Sequence, residues 1–320
     1  MLPKITIITP SYNQAEFIER TILSVLNQNY PNLEYIIIDG GSTDGSVEII
    51  KKYQDQLEYW ISESDKGTYD ANNKALRIMS GDYWCVVNSD DILLPGALDI
   101  IAKTIHDNPN EKWIAGGVNF IDEYDHITGS SIPEKNKLIA GYSFLNGCWI
   151  SHPTVFLHKT LIQEIGEFGQ YHSMDLEYWL RLEKAGYTPY VVSAYIAGLR
   201  FHSNCKSTDK VKLQEEFIKV HDDFIEKNKL NRNPEIIKSK MDSRVFLYKI
   251  LIGKNLVDNN RWQTIKLLIK IIRVKPVELT SVWFKGAIKR VVLGLKANDP
   301  LYKEYSNEQN RSNWNDLKGN

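Results

Sequence analysis

The sequence predicts an α/β fold: a mostly parallel sheet flanked by helices, followed by a C-terminal helical appendage. Three observations predict it. Short apolar runs alternate with helix-periodic segments through the first third of the chain. Polar and acidic residues gather just after those apolar runs, at what would be the carboxyl ends of strands. Beyond His202 the alternation gives way to long helical periodicity.

Taken in order, "ITIIT" is a short buried strand, and "AEFIERTILSVLNQ" places Phe17, Ile18, Ile22, Val25 and Leu26 at helical spacing. "LEYIIID" is a second strand, and "SVEIIKKYQ" a helix that starts after Gly45. "LEYWISE" is a third strand, with "TYDANNKALRIMSG" a helix closed by Gly81. "YWCVVNS" is a fourth, and "PGALDIIAKTIHDN" a helix with Pro95 in its first turn. This alternation implies parallel strands joined by right-handed crossovers, with helices on both faces. Ligands of such sheets bind beyond the carboxyl ends of the strands. Four of those ends are polar: Thr9 to Tyr12, Asp39 to Asp44, Ser62 to Gly67 and Asn88 to Asp91. They point to one continuous cleft.

The second half is less regular. "WIAGGVNFID", "CWISHPTVFL" and "PYVVSAYIAGLRFH" read as strands, with helices "KTLIQEIG" and "MDLEYWLRLEKAG" between them. "VKLQEEFIKVHDDFIEKN" then carries Leu213, Phe217, Val220 and Phe224 on one helical face. The expected boundary divides residues 1–207 from a helical region, 208–320, whose last stretch, "RSNWNDLKGN", is polar and expected to fray.

At 320 residues the chain has room for one large α/β domain and an appendage. A net charge of −1 gives no reason to expect nucleic acid as a partner. Cys85, Cys148 and Cys205 form no CxxC pair, which suits reduced thiols in a cytoplasmic-type compartment better than a disulfide frame or a zinc site. "MLPKITIITPSYNQ" has no long apolar core, so no signal peptide is expected. No apolar run approaches the roughly 20 residues that a spanning helix requires.

The segment "YWCVVNSDDILLPGAL" ends a buried run on two adjacent carboxylates, Asp90 and Asp91. Adjacent anions need a cation, a hydrogen-bond cage or open water. An isolated "SDD" is also what a solvated turn before a helix looks like. The acidic ends of the neighbouring strands favour the cleft.

"ITIITPSYNQAEFIERTILSVLNQNYPNLEYIIIDGGSTDGS" resembles the opening of glycosyltransferase family 2, the inverting enzymes of the Rossmann-like GT-A fold. "NSDDILLPGAL" is similar to that family's metal-binding DxD region, and "SMDLEYWLRLEKAG" to its catalytic-base segment. The likeness runs over about residues 3 to 205 with the motifs in the family's order. It implies transfer of a sugar from a nucleotide-sugar donor, a UDP-sugar first, to a glycan or lipid-linked acceptor hydroxyl in cell-surface polysaccharide synthesis. It also implies Mn²⁺ or Mg²⁺, hard cations that suit oxygen ligands and stabilise a departing diphosphate.

By the same resemblance Asp90 takes the place of the last Asp of DxD and holds the metal. Asn88 stands where the first Asp usually does, which leaves it on the ribose or the metal, and Ser89 beside it is a nucleotide-sugar candidate. Asp91 joins the metal group, or instead lies behind it, toward the ribose, or caps the next helix. Thr9, Pro10 and Tyr12 match the segment that places an aromatic ring on the nucleobase, and Asp39 matches the Asp that reads a uracil ring nitrogen. Gly40 and Gly41 allow close backbone approach, and Asp44 caps a helix. Asn72 stands where many members have a base-contacting Arg, while Asp65, Lys66 and Asn73 remain nucleotide- or sugar-side candidates. Asp175 is the expected general base, with Glu177 its rival. His202 is a candidate for metal or diphosphate, and Trp149 with His152 for the acceptor side.

Two other classes stand beside this reading. A sugar nucleotidyltransferase needs a glycine-rich basic loop after the first strand, which "TPSYNQAEF" lacks. A non-catalytic sugar-nucleotide-binding protein needs neither the metal carboxylate nor the base.

The segment "RWQTIKLLIKIIRVKPVELTSVWFKGAIKRVVLGLK" is basic: Arg261, Lys266, Lys270, Arg273, Lys275, Lys285, Lys289, Arg290 and Lys296 stand against Glu278 alone. Trp262, Ile265, Leu268, Ile269, Ile272, Trp283, Ile288 and Val292 lie between them, with Pro276 dividing two helices. Such helices either lie at an anionic membrane surface or pack as an appendage on the body. The first alternative makes residues 261–296 a peripheral anchor on the inner face of the membrane.

Overall fold

The computed structural model describes residues 2–134, 143–203, 205, 209–258 and 260–293. The expected boundary at residue 207, Lys296 and the polar end "RSNWNDLKGN" lie outside the described residues. The chain divides into two compact units, Met1–Phe144 with Cys148–Thr208 and Leu145–Gly147 with Asp209–Asn320.

In the first unit the chain runs β1 (Ile5–Ser11), α1 (Ile18–Leu26), β2 (Leu33–Asp39), α2 (Ser46–Lys52), β3 (Tyr59–Ser62), α3 (Thr68–Ile78), β4 (Tyr83–Val86), β5 (Ile92–Leu93) and α4 (Ala97–Asp107). It continues through β6 (Trp113–Ile121), β7 (Ile127–Ser131), β8 (Val155–His158), α5 (Thr160–Ile165), α6 (Met174–Lys184) and β9 (Tyr190–Arg200). Among the described residues nine strands form one sheet in the order β3-β2-β1-β4-β8-β6-β9-β5, with β7 beside β6.

Strand alternation sorts the core into two faces. Ile5, Ile7, Tyr35, Ile37 and Cys85 pack with Ile18, Ile22 and Val25 of α1 and Leu98 and Ile101 of α4. On the other side an aromatic cluster joins the sheet to α6. Trp113 stacks on Trp179 at 5.5 Å, and Trp84 meets Tyr178 and Phe168 edge-on. Each such fully buried aliphatic side chain stabilises the fold by about 1.5–3 kcal/mol.

The sheet is mixed, with its two longest pairings parallel. β1–β2, β2–β3, β1–β4 and β6–β9 are parallel, as α-crossovers require. β4–β8, β6–β8, β6–β7 and β5–β9 are antiparallel. The return from β6 to β7 is a tight turn, Asp122 to His126, too short for a crossover. Asp122 holds it by accepting the Tyr124 and His126 N–H groups, each at 2.9 Å.

Helix ends also differ from expectation. α4 begins at Ala97, so Pro95 precedes it instead of sitting in its first turn. The strand expected from Cys148 begins only at Val155, after a 3₁₀ turn at His152–Thr154. α3 stops at Ile78, and Gly81 serves close approach instead of capping, because a Cβ there would lie 2.2 Å from Thr6 Oγ1. That approach brings Gly81 N–H to the buried carboxylate of Glu34 at 3.1 Å. Glu34 also accepts from Thr6, from Ser80 and from Lys4 Nζ at 3.0 Å. Burial alone would raise its pKa, but the Ser80 and Thr6 hydrogen bonds hold it down to about 2.

The second unit holds α7 (Lys210–Lys227), α8 (Pro234–Val257), α9 (Arg261–Val274) and α10 (Val282–Leu293), with a 3₁₀ turn at Pro276–Thr280. Asn233 and Asn260 cap α8 and α9 through their side-chain oxygens. Leu267, Leu268, Ile271, Phe284 and Ala287 pack around Val245 and Ile252 of α8. Leu268, expected among the residues between the basic charges, is therefore core. Lys275 pairs with Asp242 at 2.6 Å and with Glu278 at 3.5 Å, so part of the basic charge is neutralised within this unit. No helix among the described residues is long and apolar enough to cross a membrane.

Candidate active site

The loops after β1 and β2 are stitched together. Asn13 N–H donates to Ser42 Oγ at 2.8 Å, and Thr43 N–H donates to Asn13 Oδ1 at 2.9 Å. Asn13 takes a left-handed φ of +51°, which Asn tolerates better than most residues. Of the three candidates on this segment only Tyr12 is presented to solvent, at 62% exposure. Pro10 is buried, and Thr9 is buried with its hydroxyl 3.1 Å from Tyr35 OH, so neither side chain is presented to solvent.

Asp39 also departs from its expected role. It is buried, and its oxygens are taken by Ser42 Oγ (2.5 Å), Gly41 N–H (3.1 Å), Ser42 N–H (2.8 Å) and Ser62 Oγ (2.7 Å). The carboxylate organises the loop that would face a base and does not itself reach outward. Gly41 in that loop has φ +84°. Asp65 folds against Gly40, where a Cβ would lie 2.8 Å from Asp65 Oδ2. Lys66 is exposed beside it.

Beyond β4 the two adjacent carboxylates part. The turn closes with Asp91 N–H donating to Asn88 O at 2.9 Å. From α1, Thr21 Oγ1 donates to the carbonyls of Ser89 at 3.0 Å and Asp91 at 2.7 Å. Asn88 is half-buried and Ser89 buried. Asp91 points inward, accepting Arg200 N–H at 2.9 Å and Asn88 Nδ2 at 3.3 Å. Burial first, then the charge of Asp90, pushes its carboxyl well above the usual range. An enclosed, hydrogen-bonded Asp91 is not a metal ligand, which corrects that expectation. Asp90 turns the other way, its Oδ2 3.2 Å from His202 Nε2.

Asp175 sits half-buried in the first turn of α6. Burial and then the Asp175 charge push the Cys148 thiol up, so the base candidate lies near the Cys148–Trp149 segment. The Trp149 indole N–H donates to Ser143 O at 3.0 Å. The His152 ring lies 6.1 Å from both Phe168 and Trp179. Glu177 is committed elsewhere, its oxygens held by Arg181 at 2.8 and 2.9 Å. Asn73 is likewise structural. Its Nδ2 donates to Phe168 O at 3.0 Å and its Oδ1 accepts Phe168 N–H at 2.9 Å, pinning the loop that leads into α6. Asn72 Nδ2 reaches Met174, the neighbour of Asp175.

Among the described residues no group of three or more His, Cys, Asp or Glu side chains is arranged to hold a metal ion. The Asp90–His202 pair still fits a divalent cation as a two-donor platform of carboxylate oxygen and imidazole nitrogen. Diphosphate and water oxygens would complete such a shell. Arg200, Arg181 and Thr21 carry much of this arrangement and were not singled out in the sequence. Arg200 had a signal: a guanidinium inside the apolar run "YIAGLRFH" must find partners when buried.

Solved structures share the architecture. A mannosyltransferase from Pyrobaculum calidifontis, in complex with GDP-Man and Mn²⁺, superposes with TM-score 0.58 at 16% identity over 97% of this chain and 84% of its own. Residues 1–349 of S. aureus TarS, in complex with UDP-GlcNAc, give TM-score 0.53 at 14% identity over 91% and 92%. The fold is that of the GT-A glycosyltransferases. The profile described as Glycosyl transferase family 2 matches residues 6–166, and the chain belongs to that family. Among curated relatives, the Escherichia coli UDP-Glc:alpha-D-GlcNAc-diphosphoundecaprenol beta-1,3-glucosyltransferase WfaP is 32% identical over 212 residues, 65% of this chain and 81% of its own. The protein is a glycosyltransferase.

Proposed function

We propose that the protein is an inverting, metal-assisted enzyme that moves one hexosyl or N-acetylhexosaminyl unit from a UDP-sugar to a lipid-linked or glycan acceptor in surface polysaccharide synthesis. The pairing of Asp90 with His202 beyond β4 carries this reading, because it offers one oxygen and one nitrogen donor at the ligand-binding end of the sheet. Residues 1–207 would perform the transfer, with 208–320 as a helical accessory region. Tyr12 covers the nucleobase, the Asp39-organised loop shapes its pocket, and Lys66 meets the diphosphate. The acceptor oxygen bonds to the anomeric carbon as the bond to the diphosphate breaks, and Asp175 takes the hydroxyl proton. A cation held at Asp90 and His202 would offset the charge gathering on the leaving diphosphate. The engagement of Glu177 by Arg181 favours Asp175 as the base. Trp149 and His152 border the acceptor.

The outer faces of α9 and α10 fit an anionic membrane surface, where a lipid-linked acceptor would be met. Trp262 (75% exposed), Lys266, Ile269 and Arg273 share one face of α9, and Lys285, Ile288, Lys289 and Val292 one face of α10. A panel of nucleotide sugars, assayed for donor hydrolysis and for transfer to a polyprenyl-diphosphate-sugar with Mn²⁺ or excess chelator, tests the enzymatic reading. Turnover of a UDP-sugar only with metal is expected; undiminished turnover in chelator overturns the metal assignment.

A further inference from the structure

We propose that Arg200 is a positioning residue that sets the direction of the Asp90 carboxylate by gripping the backbone beneath it. The inference rests on the reading of Asp90 and His202 as the cation platform. The Arg200 side chain is 0% exposed, so it cannot touch a donor or a cation itself. Among the described residues its polar contacts are with the scaffold. Its Nε–H donates to the carbonyl of Asp90 at 2.7 Å, and its own backbone N–H donates to Asp91 Oδ1 at 2.9 Å. One residue thus holds both members of the acidic pair, one by its main chain and one by its carboxylate.

The grip is anchored at its far end. Arg200 NH1 donates to Asp122 O at 2.8 Å, and its other terminal nitrogen pairs with Asp125 Oδ1 at 2.5 Å. Both acceptors belong to the β6–β7 turn that Asp122 stabilises. The guanidinium plane also lies 5.1 Å from the centroid of Phe17, whose ring packs against His202 at 4.5 Å. His202 follows two residues after Arg200 and meets the Asp90 side chain. The end of β9 therefore holds Asp90 twice, Arg200 on its carbonyl and His202 on its carboxylate. With the carbonyl fixed, the Asp90 side chain has a defined origin from which to face His202. A lysine keeps the charge but loses the fork that reaches Asp90, Asp122 and Asp125 together.

Arg200→Lys is the test, with Mn²⁺ as the probe, titrated by electron paramagnetic resonance in the presence of UDP. Circular dichroism and a melting curve select the folded fraction. The expected result is a folded variant that binds Mn²⁺ about 10- to 100-fold more weakly, the usual range for loss of a group that orients a metal ligand. kcat should fall, while the KM for the acceptor stays near wild type. A role in stability alone would lower the melting temperature and leave the Mn²⁺ affinity of folded protein unchanged; that result overturns the inference. If Arg200→Lys does not fold, Asp125→Asn takes its place, since it loosens the anchor while keeping the guanidinium. Mn²⁺ affinity weakened several-fold is then expected, and unchanged affinity overturns the inference. If wild-type protein with UDP binds no Mn²⁺, the cation platform itself is wrong, and that outcome is distinct from the other two.

Discussion

Asp90 Oδ2 and His202 Nε2 stand 3.2 Å apart although 112 residues separate them in the chain. The contact is made because β4 and β9 bring their ends to the same side of the sheet. If this pair holds a cation, Asp90→Ala should abolish metal-dependent transfer, and His202→Ala should raise the Mn²⁺ concentration needed for half-maximal rate. Isothermal titration with Mn²⁺ and UDP reads both effects. Wild-type activation by Mn²⁺ in either variant would exclude that residue from the site.

Asp175 and Glu177 occupy the same helical turn, and the structure gives them different work. Asp175→Asn should leave donor affinity intact and lower kcat by about 10²- to 10⁴-fold, the scale of general-base loss. Glu177→Gln should weaken the hold of Arg181 and lower thermal stability, with a much smaller effect on kcat. Steady-state kinetics and melting curves on both variants decide it; a reversed pattern would make Glu177 the base.

Glu34 makes acid stability measurable. Its folded pKa of about 2 lies below the ordinary value of 4.5, so its contribution is fully present above about pH 5. That contribution, about 3 kcal/mol, fades as pH falls from 4.5 toward 2. Glu34→Gln should therefore be clearly less stable than wild type at pH 7, with the gap narrowing toward pH 3. Denaturant melts at the two pH values check the sign, and a constant gap would rule out the linkage.

Asn73 bridges Phe168 with both ends of its amide. Asn73→Ala leaves a buried N–H and a buried carbonyl unpaired and should cost about 1–3 kcal/mol per group in stability. Because that loop leads into α6, kcat should fall more than donor affinity. A variant with unchanged stability and a selective loss of donor binding would return Asn73 to the sugar-nucleotide side.

The outer faces of α9 and α10 predict co-sedimentation with phosphatidylglycerol vesicles at low salt, weakening as salt screens the lysines and arginines. Trp262→Ala with Lys266→Glu should reduce binding at least several-fold while the fold is retained. Sedimentation unaffected by this double variant, or absent at low salt, would leave these helices without a membrane role.

The sequence by itself determined the α/β class, the order of elements through β4, the polar strand ends and the place of Asp175 at a helix start, but not β5, the short strand Ile92–Leu93 before α4. Those features are local: apolar period, turn residues and caps are written within a few neighbouring positions. The tertiary structure alone decided which of two adjacent carboxylates is enclosed. Asp91 is buried by Arg200, a partner 109 residues away, and no local pattern encodes that meeting. The same holds for Asn73, whose partner lies 95 residues on, and for the antiparallel half of the sheet, set by long-range pairing. Asp39 is the clearest case. Its position at a strand end was legible, but only the folded structure, which brings Gly41 and Ser42 of the following loop and Ser62 at the end of β3 to its oxygens, shows the carboxylate enclosed and hydrogen-bonded, as a buried charge requires.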